Sequence, residues 1–538
     1  METFRTDVVV VGGGAAGLLA AVAARRLGHE VLVVEAGPLL GGGTALSDGR
    51  IWLPGNHLME KAGVGDSAIE AAEYLDAILG APAAASSAER RAAFVETAPR
   101  LARWLTSSKL SLVVDADAAD IHRQAPGAKP TGRVLRSQAF DRRALGEWAS
   151  ALHSANAAEG RSWNPFGRAG RVSRNGEALA AALLHRAAGT GVEFWLDARV
   201  TDLVPDGNGI GGVVVSRRIH DTDTSAGITV LARAGVLLAA GGFEANQGLR
   251  EEYLPLPTDA AWSASPLPGD GQAITLAAAH GAATAAMEEA WWTPVMVADG
   301  TARSLDAERA HPHSLIVDHT GSRFFDESAP ADEAGRLLYE RARGVGSIPF
   351  YLIVDNHYRR EYPLGPWPAG SYPRSAIDAE ELVKANGLPE LAQALGIDRA
   401  GLLGTDVRFN GFARKGRDQD FERGERLATA NGGRRRNPSL GKVDKPPFWA
   451  VPVYPGDSGT KGGLLVNADA QVLRADGTPI AGLYACSGTA ASLMGRTSPA
   501  PGASLGEALV GAFRAVLRLT GDEPDSARPR PEAGGTTS

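Results

Sequence analysis

Residues 7–17 read DVVVVGGGAAG, and residues 31–35 read VLVVE. Four consecutive valines predict a buried strand, the glycines a tight turn, and the alanine-rich run after them a helix. Residues 31–34 predict a second strand that ends in an acid. Each glycine has its own task in such a unit. Gly12 makes the turn, Gly14 lets the backbone approach a pyrophosphate, and Gly17 lets the helix pack close to the sheet. The helix N-terminus carries about half a positive charge, which suits a diphosphate. Glu35 falls where a carboxylate accepts hydrogen bonds from both hydroxyls of an adenosine ribose, and a 2′-phosphate there would meet a like charge. The unit is read as a dinucleotide site that disfavours NADP.

At 538 residues the chain is too long for one core, so two domains are expected. Its net charge of -7, without a concentrated basic stretch, argues against a nucleic-acid partner. No apolar run is long enough to cross a bilayer. The first strand begins almost at the N-terminus, which leaves no room for a signal peptide. Cys486 is the sole cysteine, so no internal disulfide forms; it is read as a small buried apolar side chain. These features together lead to the expectation of a cytoplasmic protein.

Residues 66–106 read as helices, 115–136 as a loop and 176–190 as a helix. Short strands are expected at 192–196, 200–204, 212–216, 228–231 and 236–240, with a helix at 271–281. Residues 290–450 read as short strands, such as 314–317 and 351–354, between long loops. Strand character returns near Pro452, and a helix runs from about Ala503 to Leu519. The Pro-, Gly- and acid-rich tail, 521–538, reads as disordered. The expected fold is α/β: a Rossmann-like dinucleotide-binding domain with an inserted α+β cap. Its first part covers 1–270, the cap 271–449, and its second part 450–520.

Three more glycine segments bear on the cofactor. Residues 41–49, GGGTALSDG, follow Glu35 closely. In a flavoprotein the backbone turns under the isoalloxazine there, because side chains would collide with the ring. Thr44 and Ser47 are candidate donors to flavin oxygens or the ribityl chain. The loop has no histidine, so no covalent histidyl link is supported. Residues 236–246, VLLAAGGFEAN, run a buried strand into paired glycines. Residues 495–506, GRTSPAPGASLG, form a Pro/Gly loop that opens a helix. Its free N–H groups would face the edge of a flavin that becomes negative on reduction.

With these segments assembled, the chain resembles the 3-ketosteroid Δ1-dehydrogenases, within the fumarate reductase and succinate dehydrogenase flavoprotein superfamily. The resemblance also rests on GGGTALSDGRIWLPGN, Arg250 and Tyr253, PGDGQAI, EEAWWTP, RFFDESAP, DFERGE and PPFWAVPVYPGDSGTKGGL, and runs to about residue 519. It implies non-covalent FAD, a catalytic domain over the flavin, and oxidation of a carbon–carbon bond beside a ketone. The FAD contacts it implies are Gly12, Gly14, Ala15, Ala16, Gly17, Glu35, Ala36, Gly42, Gly43, Thr44, Ala45, Leu46, Ser47, Gly49, Val200, Ala240, Gly241, Gly242, Ala503, Ser504 and Leu505.

The resemblance further implies three tyrosines: one that binds the ketone oxygen together with a glycine N–H, one that acts as base, and one that supports the base. Gly502 keeps the glycine. Ser498 stands at the oxygen-binding tyrosine, Ala331 at the base, and Ile121 or, with one shift, His122 at the third. A changed substrate or a changed base follows.

Tyr454 either enters the site or is a half-buried strand aromatic. His313 is a candidate base or a surface loop residue. Arg496 clamps a substrate carboxylate or is solvated. Trp291 and Trp292 line the pocket or pack in the core, and Arg133, Arg136 and the run 434–436 of arginines face water. No metal site is expected.

The reading is an FAD-dependent dehydrogenase that desaturates a cyclic ketone at the α,β bond. The substrate is a 3-oxosteroid or a smaller oxo acid such as 4-oxocyclohexanecarboxylate, with a separate electron acceptor. Its rivals are an ene-reductase, a non-catalytic FAD-binding homologue, and an oxidase.

Overall fold

The computed structural model describes residues 3–154, 171–217, 227–371, 373–425 and 437–521. The tail beyond Gly521 and the arginine run 434–436 lie outside them. The chain forms two compact units. The first comprises Met1–Phe243, Pro266–Glu288 and Thr460–Ser538; the second comprises Glu244–Ser265 and Glu289–Gly459. Residues 244–265 therefore leave the nucleotide half, and 266–288 return to it.

The first unit is built on an eight-stranded sheet. Strand Thr3–Val11 lies at its centre, parallel to Gly227–Leu238 on one side and Val31–Val34 on the other. Pro479–Ala485 and Glu193–Trp195 extend the parallel part outward. Val8, Val9 and Val10 are fully buried, as a strand covered on both faces requires. Helix Ala15–Arg26 packs against helices Asn175–Gly189 and Ala503–Thr520. The order reverses at the central strand, so its carboxyl end opens the crevice where such sheets take nucleotides.

Two differences from the sequence reading appear here. Residues 228–231 and 236–240 belong to one strand, Gly227–Leu238. The polar Arg233 and the glycine at 235 interrupt its apolar run, but the register merely shifts there without a break. The stretch 115–136, read as a loop, ends in strand Val134–Ser137. That strand pairs with Ile51–Trp52 and Leu112–Val114 in a small three-stranded sheet.

The second unit carries a six-stranded sheet ordered 301–304, 290–298, 448–460, 350–354, 314–317, with 383–385 paired beside 448–460. Along its strands alternate residues enter two separate cores. Ile316, Leu352, Val354, Trp449 and Val451 enter one. Leu315, Val317, Ile353, Phe448 and Ala450 enter the other. Helix Ala331–Val345 covers the first face, and helices Leu388–Leu395 and Arg399–Lys415 cover the second. The expectation of strands and long loops in 290–450 is corrected here, because helices supply both layers. Their glycines (Gly335, Gly401, Gly404, Gly411) and dense charge dilute the helical period. No helix among the described residues is long and apolar enough to cross a membrane.

Candidate functional site: the glycine-lined crevice of the first unit

The glycine turn leaves strand Thr3–Val11 at the switch point. A Cβ on Gly12 would lie 2.4 Å from the Ala239 carbonyl oxygen, and one on Gly17 only 2.0 Å from the Gly12 oxygen. Both positions are closed by the protein itself. Gly14 differs, because a Cβ there meets no atom within 4 Å. It is also the N-cap of the helix that begins at Ala15 and Ala16. The turn therefore has a single open position, in front of a helix N-terminus, where a pyrophosphate fits.

Glu35 is fixed by its backbone between strands. Its N–H donates to the Trp195 carbonyl (2.8 Å), and its carbonyl accepts from Ala198 N–H (3.0 Å). Its carboxylate accepts one bond on each oxygen, from Gly13 N–H (2.8 Å) and Gly37 N–H (2.9 Å). Each oxygen retains acceptor capacity for a ribose hydroxyl. Ala36 follows directly, and Val200 lies buried on strand Ala198–Asp206, the strand whose first residue donates to the Glu35 carbonyl.

The second glycine segment joins the first. Gly41 N–H donates to the Gly13 carbonyl (2.8 Å), and a Cβ on Gly42 would stand 3.0 Å from Gly14 Cα. Gly42 to Leu46 form a short helix containing Gly43, Thr44 and Ala45. Ser47 Oγ donates to the Thr44 carbonyl (2.8 Å) and accepts from Gly49 N–H (3.1 Å), so its proton is spent on the local turn. The third segment closes the same crevice. Thr489 Oγ1 accepts from Ala240 N–H (2.9 Å) and donates to the Gly241 carbonyl (2.9 Å). A Cβ on Gly488 would press to 2.8 Å from Gly242 N. Residues such a ring would rest on are thus backbone or glycine, which fits FAD.

The Pro/Gly loop is pinned in the same unit. Gly502 sits at φ 83°, the left-handed region, as N-cap of helix Ala503–Thr520. Its carbonyl accepts from Trp52 N–H (3.0 Å), and a Cβ would be 2.5 Å from the Arg50 carbonyl. Only glycine satisfies both constraints. Gly502, Ser504 and Leu505 stand at the helix start, where N–H groups have no intrahelical acceptor. Ser498 is half-buried and Arg496 exposed.

Three side chains that the sequence reading did not assign to the loop hold it. The buried Lys461 donates from Nζ to the carbonyls of Gly495 (2.9 Å) and Thr497 (2.8 Å). The Tyr74 hydroxyl donates to the Pro499 carbonyl (2.6 Å), and burial pushes its pKa up, so it stays a phenol. His122 Nε2 shares a hydrogen bond with Thr497 Oγ1 (2.8 Å). Tyr74 lies in an ordinary amphipathic helix, Ala68–Leu79, and nothing local marks it. Arg133, expected to face water, is instead buried over the Tyr74 ring and paired with Asp66 (2.7 Å) and Asp120 (2.8 Å), two carboxylates whose charge its own sequence neighbourhood does not reveal. Of the two candidates for the third tyrosine position, His122 is the one whose side chain reaches the loop.

Tyr454 and His313 belong to the second unit. Tyr454 stacks on Trp262 with centroids 5.1 Å apart, and burial raises its pKa. His313 adopts φ 67° and donates from Nδ1 to the Lys442 carbonyl (2.7 Å). Its ring lies 4.9 Å from that of His357. Asp355, between them, accepts from the N–H groups of His357, Tyr358, Asp444 and Lys445, which is a helix cap and a loop anchor. Trp292 is buried, with its indole N–H on Glu289 (3.2 Å). Several motif residues of this unit are structural. Arg250 pairs with Asp457 (2.7 Å), both fully buried, and Glu327 pairs with Arg323 (2.6 Å). Cys486, in the first unit, is buried, and its thiol is pushed up to about 12.

Residues 7–505 match the FAD binding domain family. The chain is 34% identical to a 3-oxosteroid 1-dehydrogenase of Mycolicibacterium smegmatis, over 95% of this chain and 97% of that one. It is 31% identical to a 4-oxocyclohexanecarboxylate 2-dehydrogenase of Sinomonas cyclohexanicum, over 96% and 93% of the two chains. Its fold superposes on a 3-ketosteroid Δ1-dehydrogenase from Sterolibacterium denitrificans with a TM-score of 0.88 at 33% identity, covering 96% of this chain and 99% of that one. The open crevice at Gly14, the ribose acceptors on Glu35 and this likeness together establish that the chain belongs to the FAD-binding-domain family, as an FAD-dependent oxidoreductase of the 3-ketosteroid Δ1-dehydrogenase type.

Proposed function

We propose that this protein introduces a carbon–carbon double bond α,β to the ketone of a cyclic substrate, with FAD held non-covalently as hydride acceptor and a separate electron acceptor restoring it. One observation carries the reading: Gly502 is locked at φ 83° by Trp52 and Arg50, so its N–H heads the helix that opens at Ala503. When bound, FAD supplies the place where hydride from the β-carbon goes. The chain's own task is to hold the ketone oxygen as enolate charge grows. A preorganised backbone donor at a helix N-terminus does this without reorganising during the reaction. Residues 495–502 are fixed from one side by Lys461 and from another by Tyr74, so the donor keeps its aim.

Ser498 replaces a phenol in this reading, and its smaller polar side chain offers fewer apolar contacts to a steroid. Arg496, exposed on the same loop, offers a planar cation to a carboxylate. A small cyclic oxo acid is therefore the preferred substrate class, and a 3-oxosteroid is the other member of the test.

The test is anaerobic. Flavin-loaded protein is mixed with 4-oxocyclohexanecarboxylate or with 4-androstene-3,17-dione, and the visible flavin band is followed. Bleaching by either ketone, faster with the oxo acid, is the expected result. Bleaching by neither, together with oxidation of the reduced protein by a cyclic enone, would replace the reading with an ene-reductase. No response in either direction would leave a flavin-binding homologue without this chemistry.

A further inference from the structure

The reading above removes a proton from the carbon beside a ketone, yet none of the phenols that the resemblance implies is present to take it. The first unit holds another group in the right neighbourhood. His122 Nε2 and Thr497 Oγ1 lie 2.8 Å apart, and Thr497 is the residue before Ser498 in the loop that ends at Gly502.

Three observations set this contact apart from an incidental surface bond. First, the backbone that carries His122 is tied to the loop itself. Its N–H donates to the Tyr74 hydroxyl (3.3 Å), that hydroxyl donates to the Pro499 carbonyl (2.6 Å), and Ile121 N–H donates to the same carbonyl (2.9 Å). The backbones that carry the imidazole and its partner are thus held in one frame. Second, the Thr497 carbonyl is occupied by the buried Lys461 ammonium, which fixes the backbone while the hydroxyl meets the imidazole. Third, Thr497 and His122 are both half-buried, whereas Tyr74, Lys461 and Pro499 are buried. A ligand can reach the pair but not its supports. A hydroxyl activated by an imidazole carried on a fixed backbone is a general way to make a base from a weak acid.

We propose that Thr497 and His122 form the proton-abstracting pair of this enzyme; the inference rests on the ketone-desaturation reading. The bond between the α-carbon and its hydrogen breaks. The hydrogen leaves as a proton to Thr497 Oγ1, while the hydroxyl proton of Thr497 passes to His122 Nε2. The electron pair of the broken bond becomes the enolate, whose charge sits on the ketone oxygen facing the Gly502 N–H. No oxidant is needed for this half-step. Thr497 is the group that meets the substrate, and His122 is a positioning residue that acts through it.

The half-step can be read without hydride transfer. The flavin is reduced beforehand, the protein is placed in D2O with whichever of the two ketones bleaches it, and deuterium entering the carbons beside the carbonyl is followed by mass spectrometry. Wild type and Thr497→Ser are expected to exchange within about tenfold of one another, and Thr497→Val to fall by about a hundredfold or more. His122→Gln keeps a side-chain N–H for Thr497 but cannot take a proton. It is expected to retain flavin and thermal stability while it loses exchange to the same degree. His122→Ala is expected to regain part of the exchange with added imidazole. His122→Gln or Thr497→Val exchanging at the wild-type rate overturns the proposal, as does His122→Ala that imidazole leaves unchanged. A wild-type protein bleached by neither ketone removes the functional reading itself, so the two failures are distinct.

Discussion

Gly14→Val is expected to yield a colourless protein that folds normally. At this position φ is -70°, which any residue adopts, and an added Cβ meets no protein atom within 4 Å. The protein leaves that Cβ unopposed, and the ligand group with which the added side chain competes is the pyrophosphate. Loss of the close backbone approach and of the first-turn N–H contacts is expected to weaken FAD binding by about a hundredfold or more, or roughly 3 kcal/mol. Thermal unfolding of the flavin-free variant should match that of flavin-free wild type. Gly17→Ala provides the contrast. Its Cβ would stand 2.0 Å from the Gly12 carbonyl oxygen, so flavin and fold should suffer together. Flavin titration followed by absorbance, with a melting curve on each apoprotein, separates the two. A yellow Gly14→Val protein with wild-type affinity would remove the crevice from the account.

That contrast shows what was legible in the sequence. Gly12, Gly14 and Gly17 differ only in what surrounds them, yet strand, turn and helix around them fix those surroundings by local geometry. Glu35 was equally legible, because one βαβ unit places it. The Ser47 hydroxyl was less so, since only the folded turn shows its proton committed to the Thr44 carbonyl. The supports of the Pro/Gly loop were illegible for another reason. Tyr74 reaches it across 425 residues of chain and Lys461 across 36, and a phenol on an amphipathic helix or a lysine after a strand looks the same wherever it ends. His122 stood as one of two candidates in an aperiodic segment, and its hydrogen bond to Thr497 distinguishes it from Ile121.

The second unit was harder to read for a related reason. Strands 314–317 and 350–354 are buried on both faces, so their sequences are continuously apolar and stood out. The helices that bury them carry arginines and glutamates committed to tertiary ion pairs, which reads as solvated loop. Helix Ala331–Val345 uses Arg341 on Asp318 and Arg336 on Glu289, both contacts outside its own length. The same logic resolves the DESAP and DFERGE segments. In one dimension they are separate motifs, whereas in the fold they join one buried charge network.

Glu327→Gln tests that network and is expected to destabilise the second unit by about 3–5 kcal/mol, which lowers its melting temperature by on the order of 10 °C. Glu327 is fully buried and accepts from Arg323 Nε (2.8 Å), Arg323 Nη2 (2.6 Å) and Ile316 N–H (3.1 Å), with Arg423 Nη1 at 3.3 Å. A glutamine has the right shape, but its NH2 would face guanidinium N–H groups, donor against donor. Its neutrality leaves Arg423 short of countercharge; Asp418, on Arg323 at 2.9 Å, cannot serve both. Burial alone would raise the Glu327 pKa, but Arg323 and Arg423 outweigh it and hold the carboxyl at about 2 rather than the usual 4.5. A depressed folded-state value means that the stabilisation is complete above the unfolded-state pKa and fades as pH falls toward about 2. The gap between wild type and Glu327→Gln should therefore be constant from pH 8 to 6, shrink by roughly a quarter at pH 4, and keep closing below. Denaturant unfolding followed at each pH measures it. A gap that stays flat down to pH 3 would show that shape, and not charge, is what Glu327 contributes between its two arginines.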